Sequence, residues 1–264
     1  MRDAWQQAGE AVSLSRGNNM RDTLEKDVQK RIAALTVFYT RAVLETHILI
    51  ASDAEKAMEE NRQAAEGLLK QYRDILKNNG EIFSPQEVAL LNMPFGSWTD
   101  SDTNAASWSS ESFGVLKWAI GMAASIPEYD VRMEAVDIGE LDFDKGKLRT
   151  KEQIEHEFER GKKWNWRVGA EFLNRHNPEA YNQEGFPSYK KLLADSAEDA
   201  LNRGLVEETA GDDLKAFGKP VEQLSQEELA TIGATAYARQ KALAWMLNDF
   251  ENPIKAWDAI EGES

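Results

Sequence analysis

The chain has 264 residues, with 31 Lys plus Arg against 46 Asp plus Glu, no Cys, and a formal net charge of -15 at pH 7. No disulfide scaffold and no thiolate metal or redox centre can be built from it, and this charge argues against a nucleic-acid partner, which needs a basic face. A hydrophobic fraction of 42% excludes a disordered acidic tail, and with no run of 18 apolar residues and no apolar stretch opening the chain, neither a membrane span nor a secretory signal is expected.

Residues 1–19 are polar and read as a short helix or loose arm, with Trp5 as its one anchor, ahead of a single domain over 20–264. From Leu24 the apolar residues Val28, Ile32, Leu35, Phe38, Tyr39, Ala42 and Val43 recur at helical spacing and define one buried stripe. Ser52-Asp53-Ala54-Glu55 has the form of a capping box, in which a Ser hydroxyl and a Glu carboxylate satisfy two orphan backbone N–H groups. The helix it opens should run to about Lys77 and stop at Gly80.

Ser84-Pro85-Gln86-Glu87 starts a short helix ending near Leu91. Residues 92–105 read as a loop, and 106–125 as a helix carrying Trp108, Phe113, Leu116 and Trp118. Residues 127–149 are irregular and acidic. Thr150-Lys151-Glu152-Gln153 opens a helix through Trp164 and Trp166 to about Asn174, and 175–187 is irregular again. Helix resumes over 189–202, and Ser225-Gln226-Glu227-Glu228 opens a long helix with Leu229, Ile232, Ala236, Leu243 and Met246 on its apolar side, before Asn252-Pro253 breaks the chain. The pattern predicts a mostly α protein: one helical domain with two irregular acidic connecting segments.

Chemistry-bearing patterns are few. His156 shares a helix face with Glu152 and Glu159, a row that reads as an ion-paired solvated face because no further metal ligand stands at matching spacing. His47 and His176 read as structural. Asp142-Phe143-Asp144-Lys145-Gly146 fails as a calcium loop, since positions 5 and 12 hold Gly146 and Gln153. No phosphate-binding, metalloprotease or nucleophile-elbow motif occurs, so neither a cofactor nor a metal is expected.

The acidic charge is uneven. Residues 195–231 hold ten acidic and three basic groups, and 127–160 hold eleven and six. If the two segments face the same way, they form a field that draws in a basic partner. The expected contact residues are Asp142, Asp144, Glu207, Glu208, Asp212 and Asp213, with Trp98, an aromatic in a polar loop, as an exposed anchor.

Four stretches resemble a known bacterial family, the domain of unknown function numbered 4272. They are Ile82–Leu91 (IFSPQEVALL), Trp108–Gly121 (WSSESFGVLKWAIG), Leu148–Ile154 (LRTKEQI) followed by Trp166, and Arg239–Trp245 (RQKALAW) followed by Trp257-Asp258. They occur in the family's order across residues 27–258. This chain departs from the pattern at Ser109, Lys163, Ala238 and Ala244, where the family usually has Arg, Arg, Glu and Asn. The resemblance implies a mostly helical domain with no established activity. It also marks Glu111, Arg149, Arg239 and Asp258 as charged groups beside Trp residues, which reads as a buried ion-pair network.

Two functions follow as expectations. The first is a non-enzymatic acidic binding protein of the cytoplasm that neutralises a basic protein partner, as an immunity protein neutralises a cognate bacterial toxin. The second is an enzyme or small-ligand binder with a helix-lined pocket near Glu111, Arg149 and Arg239.

Overall fold

In a computed structural model of the chain, the backbone is described for residues 2–50, 56, 59, 70, 82–133, 146–181, 187–248 and 257–258, and the side chains in these ranges from residue 23 onward. Helices dominate: α1 (Arg2–Leu49), α2 (Pro85–Leu91), α3 (Asp100–Ser107), α4 (Ser109–Ala119), α5 (Lys151–His176), α6 (Tyr189–Asn202) and α7 (Gln226–Leu247). The mostly α expectation holds. The backbone of residues 2–19 continues α1 without a break. The predicted capping box at Ser52 and Asn252-Pro253 lie outside the described residues, as does the predicted helix to Lys77 apart from residues 56, 59 and 70, which are helical.

Helix starts follow local side-chain chemistry. Ser84, Thr150 and Ser225 each accept from the third backbone N–H of their helix, and Glu87, Gln153 and Glu228 reach back to the cap N–H. The same device, formed by Thr99 and Asp102, corrects the expected loop over 92–105, because it turns residues 100–107 into α3. The expected helix over 106–125 is also corrected. It is divided at Trp108 and stops at Ala119, where Gly121 takes φ +74°. The helix's last carbonyls are not left open: Ala119 and Ile120 accept from the backbone N–H groups of Arg149 (2.7 Å) and Lys147 (2.8 Å).

The buried stripe of α1 (Val28, Ile32 and Leu35, all at most 2% exposed) joins Leu116 and Ile120 near α4 and Leu243 and Trp245 of α7 in one core region. Thr23–Leu49 is long and apolar enough to cross a bilayer by length and composition, but much of its surface is buried within the protein. A second region gathers Trp164, Ala197, Leu214, Leu229 and Ile232, and a third packs Phe38 and Ala42 against Phe83, Leu91 and Trp98. Burying each large side chain contributes about 1.5–3 kcal/mol. Helices α5 and α7 run antiparallel and approach closely. A Cβ on Gly161 would lie 3.3 Å from Gln240 Cβ, and one on Gly233 would lie 3.1 Å from Val168 Cγ1.

One feature is absent from the helical reading. Residues 209–220 form a small antiparallel meander, β1 (Thr209–Ala210), β2 (Asp213–Ala216) and β3 (Lys219–Pro220), with Thr209 opposite Leu214 and Ala216 opposite Lys219. Gly211 (φ +63°) sits in the first turn, and Phe217 (φ +51°) with Gly218 (φ +76°) makes the second.

Candidate functional site

The charged residues beside the Trp positions hold the fold together. Arg239 Nε donates to Glu111 Oε2 at 2.9 Å, and its terminal nitrogens donate to the carbonyls of Pro127 (2.6 Å) and Val131 (2.9 Å). Glu111 Oε1 accepts from the Met133 N–H at 2.9 Å, and both side chains of the pair are fully buried. Arg149 instead ties down the chain after α4, donating to the carbonyls of Trp118, Ala123 and Ala124. Asp258 accepts from the Gln86 N–H at the start of α2. The expected four-member network is therefore one ion pair and two separate clamps. Among the described residues, Glu111 and Arg239 are fully buried and paired with each other. Their neighbours Ser112 and Ala238 face a different space, a cavity of about 310 Å³ between α1, α2, α4 and α7.

Two of the expected contact residues are internal, and the structure corrects both. Trp98 is 3% exposed. Its ring packs against Phe38 at 5.4 Å and its Nε1–H donates to the Leu90 carbonyl at 2.9 Å, because the apolar body of an indole is buried once its one donor finds a partner. Asp213 is 4% exposed and accepts from Arg167 Nε and Nη2 at 2.6 and 2.7 Å. Asp142 and Asp144 lie outside the described residues. Glu207, Glu208 and Asp212 are exposed, and Glu208 pairs with Lys215 at 2.6 Å.

The Asp213 carboxylate also accepts from the Glu222 N–H, and Arg167 further engages Glu171 (2.9 Å) and the Tyr189 hydroxyl (3.0 Å). This cluster bolts the meander and α6 to α5. Burial pushes the Glu171 carboxyl up, but hydrogen bonds from Tyr189, Arg175 and Arg167 outweigh it, leaving the pKa below the ordinary carboxylate value. Burial first, and the hydrogen bond to Glu171 second, hold the Tyr189 hydroxyl well above its usual range.

Both acidic segments reach one surface. Glu128, from the segment after α4, and Glu207, from the loop after α6, line a cleft of about 300 Å³ together with His156, Glu157 and Arg160 of α5. Arg160 donates to Glu128 at 2.6 Å, and burial works against its charge less than Glu128 and Glu157 favour it. The second meander turn adjoins this segment, because the Phe217 N–H donates to Asp130 Oδ2 at 2.6 Å. Phe217 is 39% exposed and Val131 is 52% exposed. Phe217, an aromatic residue in the left-handed conformation of this turn, carries a local conformational cost.

Phe217, Val131, Glu128 and Asp130 escaped the sequence reading. Only Phe217-Gly218 had a local signal, a residue-Gly pair between short apolar stretches that suits a tight hairpin turn. His156 is exposed on this surface, and Glu159 pairs with Lys162 and Arg203. Among the described residues no group of three or more His, Asp or Glu side chains is arranged to hold a metal ion.

A family model described as "Domain of unknown function (DUF4272)" matches residues 12–177, and the chain belongs to that family. No curated protein and no solved structure matches it.

Proposed function

We propose that this family member is a non-enzymatic acidic binding protein of the cytoplasm that docks a basic protein partner, in the manner of an immunity protein that neutralises a bacterial toxin. The observation that carries this reading is the meeting of the two acidic segments at one cleft, lined by Glu128, Glu157 and Glu207 with Arg160, while the exposed Phe217 is tied to the first of these segments through Asp130. Carboxylates supply electrostatic steering and reject wrong partners, and an exposed aromatic at the centre supplies burial. The interior charges lend support too, because Arg31, Arg167 and Arg239 are engaged by buried carboxylates and are not presented to a substrate.

The test compares two triple charge reversals, using immobilised protein and an arginine-rich peptide as probe. Glu128→Lys, Glu157→Lys and Glu207→Lys alter the proposed face. Asp195→Lys, Glu198→Lys and Glu222→Lys alter the net charge equally, elsewhere on the surface. The first set should slow association about tenfold and flatten its dependence on salt, and the second should have little effect. Equal slowing by both sets would mean that net charge alone attracts the probe and that no docking face exists.

A further inference from the structure

We infer that the cavity between α1, α2, α4 and α7 is a small-molecule site for a flat, largely apolar compound that carries a hydrogen-bond donor. The inference is independent of the docking face. Protein interiors pack with few voids larger than a water molecule. A space of about 310 Å³ reaches the size of ligand pockets, which begin near roughly 300 Å³.

The space exists because small side chains oppose one another. Ser109 and Ser112 of α4 face Ala234 and Ala238 of α7, and a large residue at any of these positions would close it. Flat rings form the walls: Trp108, Trp257, Phe38 and Tyr237. Two of these rings are held before any ligand arrives. The Arg31 guanidinium lies 4.0 Å from the Trp257 ring and Trp245 meets it edge-on at 5.7 Å, while Arg132 lies 4.1 Å over Trp108. Rigid walls reduce the ordering cost of binding a rigid ligand.

Hydrogen-bonding capacity decides the ligand class. Ser109 Oγ–H donates to the Ala106 carbonyl at 2.5 Å, and Ser112 Oγ–H donates to the Ala238 carbonyl at 2.8 Å. A hydroxyl has one proton and two lone pairs, so both buried hydroxyls offer a ligand only acceptors. Among the described lining residues the Glu87 carboxylate is a further buried acceptor, whose charge Arg31 matches. At the mouth Lys241 and Asp258 carry opposite charges. Beside Ser109, Ser112 and Glu87 a ligand carboxylate or phosphate would meet lone pairs, whereas an aromatic N–H or O–H would find partners.

Indole and indene test this, because they share a shape and only indole carries an N–H. In ligand-observed NMR titrations the wild-type protein should bind indole about two- to tenfold more tightly than indene, the worth of one neutral hydrogen bond. Ala238→Leu should reduce binding of both by at least about tenfold with the helical circular-dichroism signal retained, since a buried leucine fills the space. If that variant does not fold, Ala234→Leu replaces it. Ser112→Ala should narrow the gap between indole and indene. Failure of indole to bind, equal affinity for the two probes, or undiminished binding to the filled variant would each overturn the inference.

Discussion

Replacing Arg239 by Ala tests whether the buried ion pair between α4 and α7 is structural. The wild-type side chain is fully buried, donates to Glu111 and to the carbonyls of Pro127 and Val131, and stacks 4.8 Å from the Tyr129 ring. Truncation leaves the Glu111 carboxylate in a site with no solvent exposure, with the Met133 N–H as its remaining hydrogen bond among the described residues and Arg132 at 3.8 Å. An uncompensated buried charge of this kind costs about 3–5 kcal/mol, and for a chain of this size each kcal/mol lowers Tm by roughly 2–4 °C. Urea denaturation followed by tryptophan fluorescence reads the loss directly. Glu111→Ala combined with Arg239→Ala should be less destabilising than the sum of the single changes, by about 0.5–3 kcal/mol. A single Arg239→Ala change costing under about 1 kcal/mol would refute the assignment, since a solvent-screened pair is worth no more than that.

Gly121→Ala should destabilise by about 1–3 kcal/mol, because φ is +74° and the new Cβ would lie 2.9 Å from the Lys147 carbonyl oxygen, and thermal denaturation reads this. Phe217→Asn should raise stability by up to about 1 kcal/mol, since Asn-Gly suits a turn with two positive φ values, and the same change should weaken binding of the arginine-rich peptide. The Glu171 cluster gives a pH dependence with a definite sign. Its folded pKa is lowered, so its stabilisation is present above the ordinary Glu value near 4.5 and is lost as pH falls through the lower folded value. Arg167→Met should flatten that acid limb in a series of unfolding curves. Tyr189, with its pKa raised, stabilises the fold below its ordinary value near 10 and loses that contribution as pH rises above it, a limb that Tyr189→Phe should remove.

Helix starts at Ser84, Thr150 and Ser225 were legible because a capping box is a contact between residues three apart, written wholly in local sequence. The same chemistry at Thr99 and Asp102 is hidden in the sequence by the Gly, Pro and Ser around it. The apolar stripe of α1 and the importance of Glu111 and Arg239 were legible too, the one from periodicity and the other from the family pattern. Their roles were not. Two residues 128 positions apart become an ion pair only when α4 and α7 pack, and that packing turns Ser112 and Ala238, one position away on each helix, toward the cavity instead. Trp98 and Asp213 show the limit from the other side. Neither local polarity nor local charge says whether a side chain faces water, because burial depends on distant residues, Phe38 and Leu90 for the indole and Arg167 for the carboxylate. Composition and periodicity thus settled an acidic, helical chain with its helix starts in place. Which charges lie inside, where the acidic segments meet and where a cavity opens were decided by contacts between segments far apart in sequence, whose free energy exists only in the assembled fold.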